Sequence, residues 1–255
     1  TAALVAGNYS LAGVVGTDEV TLSIPSAGAF DTRNKGTGKL ISVSGLSLSG
    51  QASGNYVLAS ANISGPIGEI TARPVTAGLK GAVTKVYDGT ADAILVPGNY
   101  EMLGVVPDDV PFVSLNNPVN GSYDTKDKGA GKVVSVEGLS ISGTEADNYS
   151  LTSTTVSSPV GEITAKPVTV SLTGTVAKVY DGTDDAALSV TNYELAGIEA
   201  SDMSSVALNN PANGKYDTKH KGTGKMVTVS GLELTGSATG NYYLASATAS
   251  GPVGE

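Results

Sequence analysis

The sequence contains no cysteine and no tryptophan, and its one histidine is His220. Without thiols the chain can form no disulfide and offers no cysteine nucleophile. With a single imidazole, histidine-based catalysis could operate at one place at most, and we expect no enzymatic activity. Apolar runs fall well short of the roughly 18 residues that a membrane-spanning helix needs, so we also expect no insertion into a membrane.

Positive charge is also in short supply. Fifteen Lys and Arg residues are set against 24 Asp and Glu residues, which gives a formal net charge of −9. This excess of negative charge disfavours polyanionic partners, and we therefore expect no binding to nucleic acid. It does leave carboxylate oxygens available for divalent cations.

Glycine and small or β-branched residues are plentiful. There are 33 glycines, and Ala, Ser, Thr and Val are also frequent. This composition is typical of strands and tight turns. No window carries the apolar i, i+3, i+4, i+7 stripe over the length that a helix needs. The composition predicts an all-β protein.

The chain is built from a repeat of 93 residues. The segment from Lys85 to Thr90 recurs unchanged from Lys178 to Thr183, and Asp31, Asp124 and Asp217 share the same spacing. This period is too long for a solenoid unit and suits an independently folding domain. The predicted repeats are residues 1–72, 73–165 and 166–255.

The two outer repeats are incomplete in the sequence. The first begins just after the position of the Tyr-Asp-Gly stretch and so lacks an opening strand, and the third stops at Glu255. We expect the sequence to be cut from a longer array. We also expect the first repeat to be the least ordered, because a missing strand exposes core and a sheet edge.

Alternating apolar residues in each repeat predict strands that bend at a glycine. Val134 and Val136 alternate and Leu139 follows after a step of three, so the inward phase shifts by one. A bulge or a bend needs such a shift, and a helix does not. The shift occurs three times, at Gly45, Gly138 and Gly231.

These patterns predict three β-sandwich modules in tandem, each with two mostly antiparallel sheets and Greek-key, immunoglobulin-like connections. The alternative is a β-grasp-like module, in which Gly104 to Val110 forms a true helix across one sheet. Pro74 and Pro167 lie in short junctions without a flexible tether, which favours a semi-rigid row of modules.

Two recurring stretches are candidate structural motifs. In the Tyr-Asp-Gly stretches we expect a tight turn, with a left-handed Gly and a Tyr ring buried in the core. In the Asn-Tyr pairs we expect a tyrosine corner tied to the preceding turn. The motif residues are Tyr87, Asp88, Gly89, Tyr180, Asp181, Gly182, Asn55, Tyr56, Asn148, Tyr149, Asn241 and Tyr242.

Other residues could carry chemistry. The Lys-Gly-x-Gly-Lys turns lack the spacing and the following helix of a phosphate loop. A solvated loop residue is expected at His220. No cofactor is expected apart from calcium, for which oxygen ligands could come from Asp108, Asp109, Glu145, Asp147, Glu199 and Asp202. An isopeptide bond could join Lys85 or Lys178 to Asn148 or Asn241.

The combined motifs resemble the YDG repeat. The evidence is the Val-Tyr-Asp-Gly-Thr stretch, the Asp-Thr-x-x-Lys-Gly-x-Gly-Lys turn, the Val-x-Val-x-Gly-Leu-x-Leu-x-Gly run and the closing Asn-Tyr-x-Leu. YDG repeats, and the related MBG repeats, build stalks of large haemagglutinin-type bacterial adhesins that are secreted or held at the surface. The resemblance implies a non-catalytic extracellular module used in tandem.

On this resemblance the chain is expected to be a stalk segment of an adhesin, placed at the bacterial surface or secreted, and serving attachment or biofilm formation. The alternative is an array of modules that binds glycan or matrix polysaccharide. The expected partners are neighbouring repeats of a longer chain and possible surface glycans, and the chain itself is expected to be a monomer.

Overall fold

The computed structural model describes every residue from Thr1 to Glu255 and contains strands, 3₁₀ turns and loops but no α-helix. The prediction of an all-β protein made of tandem modules is confirmed. Two compact units can be distinguished, and their boundaries pass through the second repeat. The first unit is Thr1–Thr76, Gly104–Ser114 and Ile141–Thr152; the second is Ala77–Leu103, Leu115–Ser140 and Ser153–Glu255.

The strands are numbered along the chain. The first repeat contains β1 (Ala2–Ala3), β2 (Thr21–Ser23), β3 (Ala27–Phe30), β4 (Gly36–Ser44), β5 (Ser47–Ser49) and β6 (Asn62–Ile70). The second contains β7 (Arg73–Leu79), β8 (Val83–Val86), β9 (Asp92–Ile94), β10 (Tyr100–Leu103), β11 (Ser114–Leu115), β12 (Asn120–Tyr123), β13 (Gly129–Val136), β14 (Ile141–Ser142), β15 (Tyr149–Leu151) and β16 (Val156–Thr164).

The third repeat contains β17 (Lys166–Leu172), β18 (Asp185–Ala187), β19 (Tyr193–Ala196), β20 (Ala207–Leu208), β21 (Asn213–Tyr216), β22 (Lys225–Ser230), β23 (Leu234–Thr235), β24 (Tyr242–Leu244) and β25 (Thr248–Gly254). Short 3₁₀ turns precede several strands. They are Ala6–Asn8, Ser53–Asn55, Pro97–Asn99, Pro107–Phe112, Ala146–Asn148, Val190–Asn192, Ala200–Asp202 and Thr239–Asn241. In the Gly104 to Val110 segment, which the β-grasp alternative required as a helix, residues 107–110 belong to the short 3₁₀ turn Pro107–Phe112 and residues 104–106 to no helix.

The third repeat shows how one module is layered. One sheet has the order β18-β21-β22-β25 and is antiparallel, and the other has the order β19-β17-β24. In the second sheet β17 pairs antiparallel with β19 but parallel with β24. A hairpin-like pair, β20 with β23, completes the module. Most pairs are antiparallel, as expected, and the parallel pair joins an early strand to a late one.

The core of this module lies between its two sheets. Val227 and Val229 of β22 are fully buried, and Leu172 of β17 and Tyr193 of β19 pack against them from the other sheet. Burying side chains of this size contributes about 1.5–3 kcal/mol each. The alternating valines of β22 therefore hold the two layers together.

The phase shift at the glycines marks a change of pairing partner. β22 ends at Ser230 and pairs with β21 and β25, whereas β23 begins at Leu234 and pairs with β20. Gly231 lies between them with a φ of +76°, and Gly138 and Gly45 have φ of +73° and +82°. A residue with a Cβ would be strained in this left-handed conformation, so glycine lets the chain turn while Leu232 stays buried.

Connections between consecutive repeats are very short. Two residues separate β6 from β7, and only Ala165 separates β16 from β17. Pro74 and Pro167 both lie inside the strand that opens the next repeat. None of the helical turns has the length and apolar character to cross a membrane.

The first repeat forms a smaller structure than the third. Its strands make a sheet of order β1-β3-β4-β6 and the separate pair β2-β5. Ala2, Leu4, Ile41, Val43 and Leu46 form its buried core. Residues 56–58, which correspond to β24, belong to no strand, and Val57 is 94% exposed. A three-stranded sheet like that of the third repeat is not formed.

We predict that Gly161→Ala destabilises the second repeat by about 1–3 kcal/mol, because core overpacking typically costs this much. A Cβ at Gly161 would lie 2.7 Å from the Tyr123 ring and 2.8 Å from the carbonyl oxygen of Lys132. Urea unfolding followed by circular dichroism measures the change. Gly98→Ala is the matched control, because a Cβ there meets nothing within 4 Å. Equal losses in both variants would contradict this account of the packing.

Candidate repeat–repeat interface

The Tyr-Asp-Gly stretches are turns organised by the aspartate. Asp88 Oδ1 accepts hydrogen bonds from the backbone N–H of Thr90 at 2.9 Å and from Lys85 Nζ at 2.7 Å. Gly89 has a φ of +78°. Asp181 makes the same bonds to Thr183 and Lys178. The hydrogen bond from Lys178 is the largest cause that holds the pKa of Asp181 below its usual range. The expected turn with a left-handed glycine is present in both stretches.

The tyrosine of this turn contacts the next repeat. Tyr87 is 1% exposed, and its hydroxyl donates a hydrogen bond to Asp202 Oδ2 at 2.7 Å. Its ring meets the edge of Tyr242 with centroids 5.4 Å apart. The expectation of a ring anchored in its own module is therefore incomplete, because the hydroxyl binds 115 residues further along the chain. Tyr180, at the same position in the third repeat, is 62% exposed, so the prediction of a buried ring is wrong for this stretch.

Asp202 is the centre of this contact. It is 4% exposed and accepts a second hydrogen bond from Tyr242 at 2.8 Å, on the same oxygen that Tyr87 binds. Lys126 Nζ of the preceding repeat lies 3.5 Å from its other oxygen. These donors, with the Tyr87 hydroxyl as the largest cause, lower the pKa of Asp202. The carboxylate therefore remains charged although it is removed from water.

Tyr242 is fixed by two bonds. Its hydroxyl donates to Asp202 and accepts a hydrogen bond from the backbone N–H of Glu199 at 3.1 Å. Burial is the largest cause that raises the pKa of Tyr242 to about 12. Asp202 lies 40 residues upstream of Tyr242. The tyrosine-corner prediction placed the partner of the hydroxyl in the turn immediately before the tyrosine, and the hydroxyl does not bind there.

The neighbouring Asn241 forms two hydrogen bonds with the preceding repeat. Its Oδ1 accepts a hydrogen bond from the N–H of Lys128 at 2.8 Å, and its Nδ2 donates to Asp127 Oδ1 at 2.9 Å. The Lys126 to Lys128 turn and Tyr87 thus meet Asp202, Asn241 and Tyr242. We call the surface formed by Tyr87 and the Lys126 to Lys128 turn the donor face of a repeat. The surface formed by Asp202, Asn241 and Tyr242 is the acceptor face.

The first unit contains the same interface between the first two repeats. Asn148 Oδ1 accepts from the N–H of Lys35 at 2.8 Å. The Tyr149 hydroxyl donates to Asp109 Oδ2 at 2.7 Å and accepts from the N–H of Val106. Arg33 takes the place of Lys126 and lies 2.8 Å from Asp109 Oδ1. Both interfaces share the asparagine contact and the basic residue beside the buried carboxylate. The tyrosine contact is made between the second and third repeats alone, because the sequence of the first repeat begins after the position of Tyr87.

The candidate calcium ligands are dispersed in this arrangement. Asp109 and Glu145 both face Arg33, at 2.8 and 3.3 Å, and Glu199 forms an ion pair with Lys166. Asp108 and Asp147 are exposed. No three acidic or histidine side chains are grouped as metal ligands.

The lysines of the Lys-Gly-x-Gly-Lys turn and of the Tyr-Asp-Gly stretches have structural partners. Lys132 Nζ lies 2.5 Å from Thr125 Oγ1 and 3.2 Å from Asp124, so it closes its own turn. Lys85 and Lys178, the candidates for isopeptide bonds, bind their own aspartates. His220 lies in an exposed loop.

The sequence did not predict which residues form the centres of the acceptor faces, namely Asp18, Asp109 and Asp202. A signal was present, because each precedes an Asn-Tyr pair by about 40 residues and a basic residue recurs at Arg33, Lys126 and Lys219. Asp109 and Asp202 were considered as calcium ligands.

The fold and these contacts define a tandem array of all-β modules in which consecutive repeats contact each other. A family model described as the YDG domain matches residues 1–63, 71–156 and 164–249. The chain belongs to the YDG domain family. No curated protein and no solved structure matches the chain.

We predict that Tyr87→Phe weakens the interface by about 1.5–3 kcal/mol, because it removes a hydrogen bond to a buried charge and keeps the ring. Differential scanning calorimetry would show a lower transition temperature, and hydrogen exchange at the Lys128 amide would be faster. Tyr180→Phe is the matched control at the same motif position. Its hydroxyl has no hydrogen-bond partner within the chain, so no change is expected. An unchanged Tyr87→Phe protein would contradict the role of this hydroxyl.

The interface is predicted to weaken at both extremes of pH. The folded-state pKa of Asp202 is lowered, so its contribution is present above the unfolded value near 3.9 and is lost as pH falls through the folded value. The raised pKa of Tyr242 gives a contribution that is present below about 10 and is lost as pH rises towards 12. Thermal melts between pH 2 and 12 measure this, and Asp202→Asn should flatten the acid limb.

Proposed function

We propose that the chain is a non-catalytic structural segment of a bacterial adhesin, secreted or held at the cell surface, that spaces an adhesive region away from its point of attachment. The observation that carries the proposal is the repeated interface. At the two junctions of the second repeat, recurring asparagine and basic side chains make contacts between repeats, and Asp88 and Asp181 organise turns.

The short connections support the same function. One or two residues link the last strand of a repeat to the first strand of the next. A connection of this length restricts the freedom of adjacent modules far more than a Gly/Ser linker would. The interface then fixes the relative position of two neighbours through a buried carboxylate, a backbone contact to asparagine and a basic residue. Such a design suits a spacer that must hold its length.

The proposed location and the absence of catalysis rest on the resemblance to adhesin stalks and on the composition. Extracellular bacterial stalks need no thiols, and the chain has none. The excess of acidic residues favours solubility. The proposed partners are neighbouring repeats.

A second candidate function is the binding of a surface or matrix glycan. A cleft of about 490 Å³ in the third repeat is lined by Tyr180, Tyr216, His220 and several lysines. An exposed aromatic ring beside hydrogen-bond donors is a common means of holding a sugar. Against this candidate, Tyr180 corresponds to Tyr87, whose role is contact between repeats.

We predict that X-ray scattering of the purified chain gives a radius of gyration well above the roughly 18 Å of a compact protein of 255 residues. A spacer keeps its modules in a row, whereas a folded-back arrangement would approach the compact value. The same measurement with calcium and with a chelator tests whether metal changes the spacing.

A compact radius would contradict the spacer proposal. A glycan array is the complementary measurement: specific retention of the wild-type chain, lost in Tyr180→Ala and kept in the Tyr243→Ala control, would favour the binding function.

A further inference from the structure

Two parallel strand pairs meet at the junction between the second and third repeats. β8 pairs in parallel with β16, and Val86 lies opposite Thr164. This ladder ends in the hydrogen bond from the N–H of Tyr87 to the carbonyl oxygen of Thr164, at 2.9 Å. β24 pairs in parallel with β17. Because only Ala165 separates β16 from β17, the two ladders lie on either side of a single residue.

Each ladder has a tyrosine at its end next to the junction. Tyr87 directly follows β8, and Tyr242 is the first residue of β24, where it lies opposite Lys166. The two rings meet edge to face, with centroids 5.4 Å apart. Their hydroxyls donate to the same oxygen of Asp202, at 2.7 and 2.8 Å. Asp202 therefore joins the ends of two strands that lie in different sheets.

The 3₁₀ turn Ala200–Asp202, which carries this carboxylate, contacts both ladders. Glu199 precedes the turn and forms an ion pair with Lys166 of β17. On the other side, Gly89 packs against the turn, because a Cβ at this glycine would lie 3.3 Å from Ser201 Oγ. All these residues belong to the second compact unit. The turn is therefore held between the start of one ladder and the end of the other.

We propose that Asp202 is a latch that makes the β8 and β24 ladders open together. The carboxylate is 4% exposed, and its hydrogen bonds are strengthened because little water reaches it. If either ladder opens at the junction, its tyrosine leaves and water reaches the carboxylate. The bond from the other tyrosine then loses its low-dielectric surroundings, so the second ladder opens more easily.

This coupling is reciprocal. By thermodynamic linkage, the stability that Tyr87 adds to the β24 ladder equals the stability that Tyr242 adds to the β8 ladder. The two repeats then share one local opening unit at their junction. The inference is independent of the proposed function, because it concerns how two repeats open and not what the array supports.

Half of the latch is also present in the first unit. β15 pairs in parallel with β7, and Tyr149 at the start of β15 lies opposite Arg73. The Tyr149 hydroxyl donates to Asp109, which is buried in a 3₁₀ turn. A parallel ladder, its terminal tyrosine and a buried carboxylate in a 3₁₀ turn therefore occur together at both junctions.

Native-state hydrogen exchange followed by NMR tests the latch, because one amide reports the opening of each ladder. The Tyr87 amide binds Thr164 in the first ladder, and the Ala245 amide binds Val168 in the second, both at 2.9 Å. Tyr242→Phe should speed exchange at the Tyr87 amide, and Tyr87→Phe should speed exchange at the Ala245 amide, each by about fivefold or more. Both substitutions keep the ring, and each effect is read in the repeat that was not changed.

The matched controls are Tyr100→Phe and Tyr193→Phe, one in each of the two repeats. The hydroxyls of these tyrosines donate to the carbonyl oxygens of Pro118 and Pro211 within their own repeats. Each control therefore loses a hydroxyl hydrogen bond away from Asp202, and exchange at the reporter amide of the other repeat should keep its wild-type rate.

The amides of Leu95 and Leu188 are internal references, because they bind carbonyl oxygens away from the junction. They should keep their wild-type rates in both junction variants. Unchanged or slower exchange across the junction overturns the proposal, because the ladders then do not open together. Equal acceleration at the reference amides overturns it as well, because the variants then destabilise whole repeats. A cross-junction effect of the same size in the controls has the same consequence.

Discussion

A buried carboxylate that accepts tyrosine hydroxyls is the interaction on which the array depends. Removing a charged carboxylate from water is costly unless hydrogen bonds replace the lost hydration. Asp202 obtains these bonds from Tyr242 of its own repeat and Tyr87 of the preceding one. The bond from Tyr242 lies within the repeat, and the bond from Tyr87 comes from the preceding repeat. One acidic residue thereby connects the fold of a repeat to the position of its neighbour.

The hydroxyl donors and the nearby lysine serve different purposes. Tyr87 and Tyr242 bring large apolar rings to the same point, so desolvation and hydrogen bonding occur together. Lys126 and Arg33 are 42% and 60% exposed at their side chains, and ion pairs of that kind contribute little free energy. Their positive charge instead contributes to specificity, because a buried carboxylate such as Asp202 or Asp109 is matched by a basic surface of the neighbouring repeat. Between the second and third repeats we therefore expect most of the free energy to come from the tyrosines, and the basic residue to supply discrimination.

Much of the fold could be predicted from the sequence because its causes are local. The alternation of Val134 and Val136, and the shift at Gly138, follow from a strand that bends where only glycine tolerates a left-handed φ. The turn around Asp88 follows from residues two and three positions away. The parallel pairing of β17 with β24 could not be predicted in this way, because it joins residues about 75 positions apart.

The interface could not be predicted for a related reason. Burial of Tyr87 was expected, but its sequence context is identical to that of exposed Tyr180. Tyr87 is buried by contacts to Asp202 and Tyr242, which lie more than 100 residues away in the sequence. Asp109 and Asp202 were noticed as oxygen ligands, and their true partners lie on other repeats. A periodic sequence shows which residues every repeat keeps without showing whether they face inward or towards a neighbour.

The parallel pairing has a mechanical consequence. In each of the two later repeats a strand near the start pairs in parallel with one near the end: β17 with β24, and β8 with β16. When tension pulls the two ends of a module apart, parallel strands are drawn along each other in opposite directions. All hydrogen bonds of the ladder then bear the load at once, whereas an antiparallel hairpin pulled from its open end would unzip one pair at a time. The topology places the module's resistance to stretching in these ladders.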